Sequence, residues 1–114
     1  MNSSQYHKLC ESPQAFVRGN LKETLSALKK VNSSKIIIIN QALSLPPITK
    51  PKLHQGGADT DYFKINIKAK DADEIIDELG NLVAESFDIN DEPTSLTYNY
   101  ESLIDKWLNY VESL

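Results

Sequence analysis

Few side chains in this 114-residue chain are of types and spacings that could do chemistry. His7 and Cys10 stand three apart, which would put an imidazole and a thiol on one helix face. A nucleophilic thiol also needs a base that is itself oriented by a third group, and this pair alone falls short of that. A partly buried thiol near the N-terminus is the simpler reading of Cys10. The second and last histidine is His54, so a zinc site of the usual kinds would lack ligands. The stretch "DINDEP", 88–93, begins like a calcium loop, but Pro93 sits where glycine is needed and Asn99 where the bidentate glutamate belongs. "HQGGAD", 54–59, lacks the Lys-Ser/Thr of a phosphate loop, so Gly56 and Gly57 read as turn glycines. The expectation is a chain with no catalytic residue, no metal ligand set and no cofactor.

Carboxylates are the exception to this poverty. Nine lie between Asp71 and Glu92, and no Lys or Arg follows Lys70 until Lys106. Paired carboxylates can do acid–base work, but only when they flank a pocket. Here the apolar residues Ile75, Ile76, Leu79, Leu82, Val83 and Phe87 take one arc of a helical wheel, and Asp73, Glu74, Asp77, Glu78 and Glu85 fill the opposite arc. These acids are expected to point to water together, continued beyond the helix by Asp88, Asp91 and Glu92. Repulsion between acids one turn apart costs about 0.2–0.5 kcal/mol per pair, a small penalty that the sequence accepts. Glu101, Asp105 and Glu112 form a second narrow stripe on the last helix, so two acidic faces would merge if the two helices are neighbours.

The elements that must position these residues can be read from periodicity. "SSQYHKLCE", 3–11, suits a short helix capped by Ser3 or Ser4. A helix is expected over 13–31, with Ser12 as N-cap, Pro13 at the first helical position and Val17, Leu21, Leu25, Leu28 and Val31 along one stripe. The β-branched run in "KIIIINQALSL", 35–45, reads as a central strand, and "YFKINIKAK", 62–70, as a strand with one wet, basic face. Between them, three prolines and a Gly-Gly pair make 46–61 a long loop. A helix over 72–87 would start at Asp71 as N-cap with Glu74 at capping-box spacing. "DINDEPTS" is a turn, "SLTYNY", 95–100, a short edge strand, and "ESLIDKWLNYVESL", 101–114, a final helix. The expected fold class is α+β, one domain over 1–114, with a small antiparallel sheet of two to four strands packed by three to four helices.

Composition then ranks the functions open to such a chain. The net charge of −4 hides a partition: residues 1–57 hold eight Lys or Arg against Glu11 and Glu23, whereas residues 58–114 hold four Lys against fourteen Asp or Glu. Such asymmetry steers partners rather than fixing a fold. Arg18, Lys22 and Lys29 make a modest basic stripe, without the groove or motif that nucleic-acid binding calls for. No apolar run approaches the roughly 18 residues of a membrane span, and the N-terminus lacks the apolar stretch of a secretory signal, so a cytoplasmic protein is expected. The leading expectation is a small interaction module that binds and neutralises a basic protein, such as a nuclease toxin, through its acidic helical surface, as an antitoxin or immunity protein would. The alternatives are a chaperone or assembly subunit, a small homodimeric structural protein, and a domain with a site that leaves no motif.

Overall fold

The computed structural model describes residues 2–51, 56–57 and 60–114. The chain runs α1 (Ser3–Glu11), β1 (Ala15–Val17), α2 (Arg18–Lys30), α3 (Ile36–Leu43), β2 (Tyr62–Lys64), α4 (Ala69–Glu85) and α5 (Ser95–Glu112). Among the described residues there are thus five helices and a two-stranded antiparallel sheet, an α+β fold with one helix more than the sequence suggests.

The first departure from expectation is at 13–17. Ser12 ends α1 instead of starting a helix: its Oγ accepts from the Gln14 N–H, and the chain leaves extended into β1. Ala15 and Phe16 are adjacent and both buried, as a short strand packed on both sides allows. Phe16 pairs with Phe63 across the sheet, and α2 begins only at Arg18, burying Leu21, Thr24, Ala27 and Leu28.

The four isoleucines of 35–45 form α3, not a central strand. Burial along them does not alternate: Ile39 is buried, Ile36 and Ile38 are half-buried, and Ile37 is 63% exposed. Ile36, Ile39 and Leu43 pack on the core at helical spacing, so tertiary contact outweighs β propensity. Asn32, with φ 50°, turns the chain out of α2, and Ser33 Oγ accepts from the Lys35 N–H ahead of the new helix.

The alternation expected for 62–70 holds in burial and fails in hydrogen bonding. Phe63, Ile65 and Ile67 are buried, and Lys64, Asn66 and Lys68 are exposed, yet the strand ends at Lys64. The Tyr110 hydroxyl takes the place of a ladder partner at Ile67, accepting from its N–H and donating to its carbonyl, both at 2.6 Å. Ala69, expected on the strand's buried face, is exposed and opens α4. Of the loop at 46–61, residues 52–55 and 58–59, and with them His54, lie outside the described residues; 46–51 carries neither helix nor strand, and the Ile48 N–H donates to the Tyr62 carbonyl. The Gly57 carbonyl accepts from the Thr60 N–H.

"SLTYNY" is the first part of α5 rather than an edge strand. Thr97, Tyr100, Leu103, Trp107 and Tyr110 are buried at spacings of three and four, one continuous helical stripe, and the alternating Leu96 and Tyr98 are exposed. Thr94 precedes the helix, and its N–H donates to Thr97 Oγ1. The central cluster joins Phe16, Leu21, Leu28, Ile39, Phe63, Ile75, Leu79, Trp107 and Tyr110. Trp107 lies 4.6 Å from the Phe16 ring, and its Nε1–H donates to Thr24 Oγ1 at 3.1 Å.

Candidate functional site

α4 and α5 pack against each other as an antiparallel hairpin, joined by a loop at 86–94. Both helices carry exposed acids, and these can be followed residue by residue. Asp73 and Asp77 on α4, and Glu101, Asp105 and Glu112 on α5, are exposed. Glu85, Asp88, Asp91 and Glu92 are exposed at and beyond the end of α4. None of these nine forms an ion pair with a described residue. Carboxylates without a cation keep their full field toward solvent, which is what a steering surface needs.

Glu74 and Glu78 stand apart from that group. α4 begins at Ala69, with Lys68 at the N-cap position, so Asp71 lies inside the first turn and does not cap the helix. Asp71 and Glu74 converge instead on Lys35, just before α3, with Lys35 Nζ 2.9 Å from Asp71 Oδ1 and also paired to Glu74. Two carboxylates on one ammonium raise the Lys35 pKa above its ordinary value, chiefly through the hydrogen bond to Asp71 and then that to Glu74. Glu78 is half-buried, with Oε2 shut off from water and without a hydrogen-bond partner among the described residues. The five-acid face expected from the wheel is therefore divided: Asp73, Asp77 and Glu85 look outward, and Glu74 and Glu78 are partly drawn in. A wheel drawn for one helix cannot show that Lys35, 36 residues before Asp71, comes to sit beside one edge of the face.

The same pairing has a pH consequence. The Asp71 carboxyl is held below its ordinary 3.8, first by the hydrogen bond from Lys35 and with help from Lys68 and Lys70 nearby. The unfolded group titrates at the ordinary value, so the stabilisation is complete above it and is lost as pH falls through the lower, folded value. Carbon-detected NMR of the carboxyl should place the Asp71 midpoint below 3.8. In Lys35→Met the midpoint should move back toward that value; no movement would show that the ammonium is not its cause. Asp61 behaves alike, lowered chiefly by Lys50 and also by Arg18.

Lys106, the one cation on α5, does not screen the stripe from outside. Its Nζ lies 4.7 Å from the Phe16 ring centroid, and burial pulls its pKa below the ordinary value. A groove of about 260 Å³ between α2 and α5 is lined by Lys22, Glu23, Lys30, Leu96 and Tyr100, with Lys30 Nζ donating to the Tyr100 hydroxyl at 2.6 Å. Cys10 is half-buried beside Tyr6, whose hydroxyl is pushed up to about 12 by burial and then by the Cys10 contact. His7 is exposed one turn away. Among the described residues no three His, Cys, Asp or Glu side chains come together as a metal site, and no helix is long and apolar enough to cross a membrane.

Periodicity also hides a set of apolar residues on the hairpin. Phe87, expected in the core, is 41% exposed; Ile89 and Tyr98 are more exposed still. Phe87 falls at a buried position on the wheel, but α4 ends two residues before it. Fold and surface together describe an α+β protein with a long acidic helical hairpin on a small mixed core. Comparison with protein-family models, with curated proteins and with solved structures gives no significant match.

Proposed function

We propose that this chain is a protein-interaction module that binds a basic protein partner through the outer surface of the α4–α5 hairpin, and that occupying that partner's cationic surface neutralises it. The observation that carries this reading is the set of exposed acids, in ion pairs with no described residue, on two helices packed against each other: Asp73 and Asp77 on α4, Glu101 and Asp105 on α5, and Asp88, Asp91 and Glu92 in the loop that joins them. A stability argument does not account for them. Like charges one turn apart work against the helix, and they are kept where ion pairs such as Lys35–Asp71 were within the chain's means. Complementary charge across an interface speeds association and rejects wrong partners, which is the benefit an inhibitor draws from it. A nuclease is one class of target that fits, because its substrate groove must be cationic to hold phosphates, and a carboxylate surface can stand in for them.

Amide hydrogen exchange of the complex with the partner isolated from the native host tests the location. Slowed exchange is expected in α4, α5 and the loop between them. Protection confined to α2 and α3 would overturn this assignment.

A further inference from the structure

The loop joining α4 to α5 turns its one aliphatic side chain outward. Ile89 is 98% exposed, on a backbone that is closely tied down. Asp88 Oδ1 accepts from the N–H groups of Asn90 and Glu92 at 2.8 and 3.0 Å, the Asp88 N–H donates to the Glu92 carbonyl at 2.9 Å, and Thr94 Oγ1 donates to the Ser86 carbonyl at 2.8 Å. An isoleucine held in water contributes nothing to the core, and it is not alone. Tyr98, 60% exposed, and Phe87 lie at the same end of the hairpin. Over 85–101 every charged residue is an acid: Glu85, Asp88, Asp91, Glu92 and Glu101.

We propose that Ile89 is the apolar anchor of the docking surface, entering a hydrophobic pocket on the partner whose rim carries lysines or arginines. The inference rests on the acidic-surface reading and adds a contact that would supply a large share of the affinity, since interface energy concentrates in a few residues seated in desolvated pockets and ringed by near-neutral contacts. Charge complementarity selects this occupant. A second copy of the chain meeting tip to tip would set like charges against each other, and phosphates of lipid or nucleic acid would be repelled in the same way. A cationic rim around an apolar floor satisfies both parts of the tip. The tied backbone leaves little loop freedom to be lost on binding.

The probes are two synthetic peptides of equal length and equal charge, one of alternating lysine and leucine, the other of alternating lysine and serine. Each is titrated by calorimetry into the wild-type chain and into Ile89→Ser, with the contact mapped by amide NMR shifts. Wild type should bind the lysine–leucine peptide about ten- to a hundredfold more tightly, the gain from burying an aliphatic side chain. Ile89→Ser should abolish that preference, leaving the lysine–serine affinity and the thermal midpoint unchanged, because the side chain is in water in the free protein. Equal affinity of wild type for both peptides overturns the anchor and leaves the acidic reading standing, and failure of both peptides to bind overturns the two together. A leucine preference that survives Ile89→Ser, or self-association that Ile89→Ser abolishes, also overturns the anchor.

Discussion

Replacing Trp107 with alanine is expected to lower the free energy of unfolding by about 3–5 kcal/mol, a large part of the roughly 5–15 kcal/mol available to a domain of this size. Trp107 is fully buried where α5 meets both α2 and β1, and it has two aromatic neighbours, Phe16 at 4.6 Å and Tyr110 at 5.8 Å between ring centroids. Its removal leaves a cavity at the centre of the cluster and deprives Thr24 Oγ1 of a donor. Thr24 still donates to the Asn20 carbonyl at 2.8 Å, so the polar part of the loss is small and the cavity dominates. Trp107→Phe should therefore recover most of the stability. Urea unfolding followed by circular dichroism measures both variants, since Trp107 is the sole tryptophan and its substitution removes the fluorescence signal. A loss below about 1 kcal/mol for the alanine variant would mean that α5 is not fixed to the core through this residue.

The second large effect concerns the surface. The triple reversal Asp77→Lys, Glu101→Lys, Asp105→Lys changes three exposed acids that pair with no described residue, so folding stability should stay within about 0.5 kcal/mol of wild type. Relief of like-charge repulsion on α4 and α5 even favours a slight gain. Association with the basic partner should slow by about tenfold or more, because steering raises the rate constant from roughly 10⁵–10⁶ to as much as 10⁸–10⁹ M⁻¹s⁻¹. The matching reversal Lys22→Glu, Lys29→Glu on α2 is the control and should leave the rate unchanged or raise it slightly. Stopped-flow association at one low ionic strength, with thermal melts of each variant, separates the two effects.

How far the sequence reached can be judged from particular segments. α4 and the C-terminal part of α5 were legible because each carries one unbroken apolar stripe against a polar face, and Asp73, Asp77 and Glu85 fell on the outer side of α4 for the same reason. A turn over 88–95 was legible from Asn90, Asp91 and Pro93, the observed loop runs from 86 to 94, and Asp91 does adopt a positive φ of 60°. Three segments misled. The isoleucines of α3 have a strong local preference for the extended state, but they are packed as a helix against α2. Ser12-Pro13 has the chemistry of a helix start, but it serves the end of α1 and the entry to β1. The alternation of Leu96, Tyr98 and Tyr100 imitates a strand, whereas the stripe from Thr97 to Tyr110 is only evident when 95–112 is taken as one helix. Within the acidic face, Asp73 and Asp77 were readable from the wheel, but the capture of Glu74 by Lys35 depends on a contact distant in sequence, and the wheel did not show that Glu78 is half-buried.

If the exposed carboxylates of the α4–α5 hairpin draw in a basic protein, the association rate constant must depend on ionic strength, and measuring that dependence is the most direct test. Between about 20 mM and 500 mM salt the Debye length contracts from roughly 20 Å to about 4 Å, so a steered encounter loses its long-range attraction. The rate constant of the wild-type chain with its partner is expected to fall by at least about tenfold over that range, and the triple-reversal variant should lose that dependence. A wild-type rate constant that stays level across the same range would contradict the account.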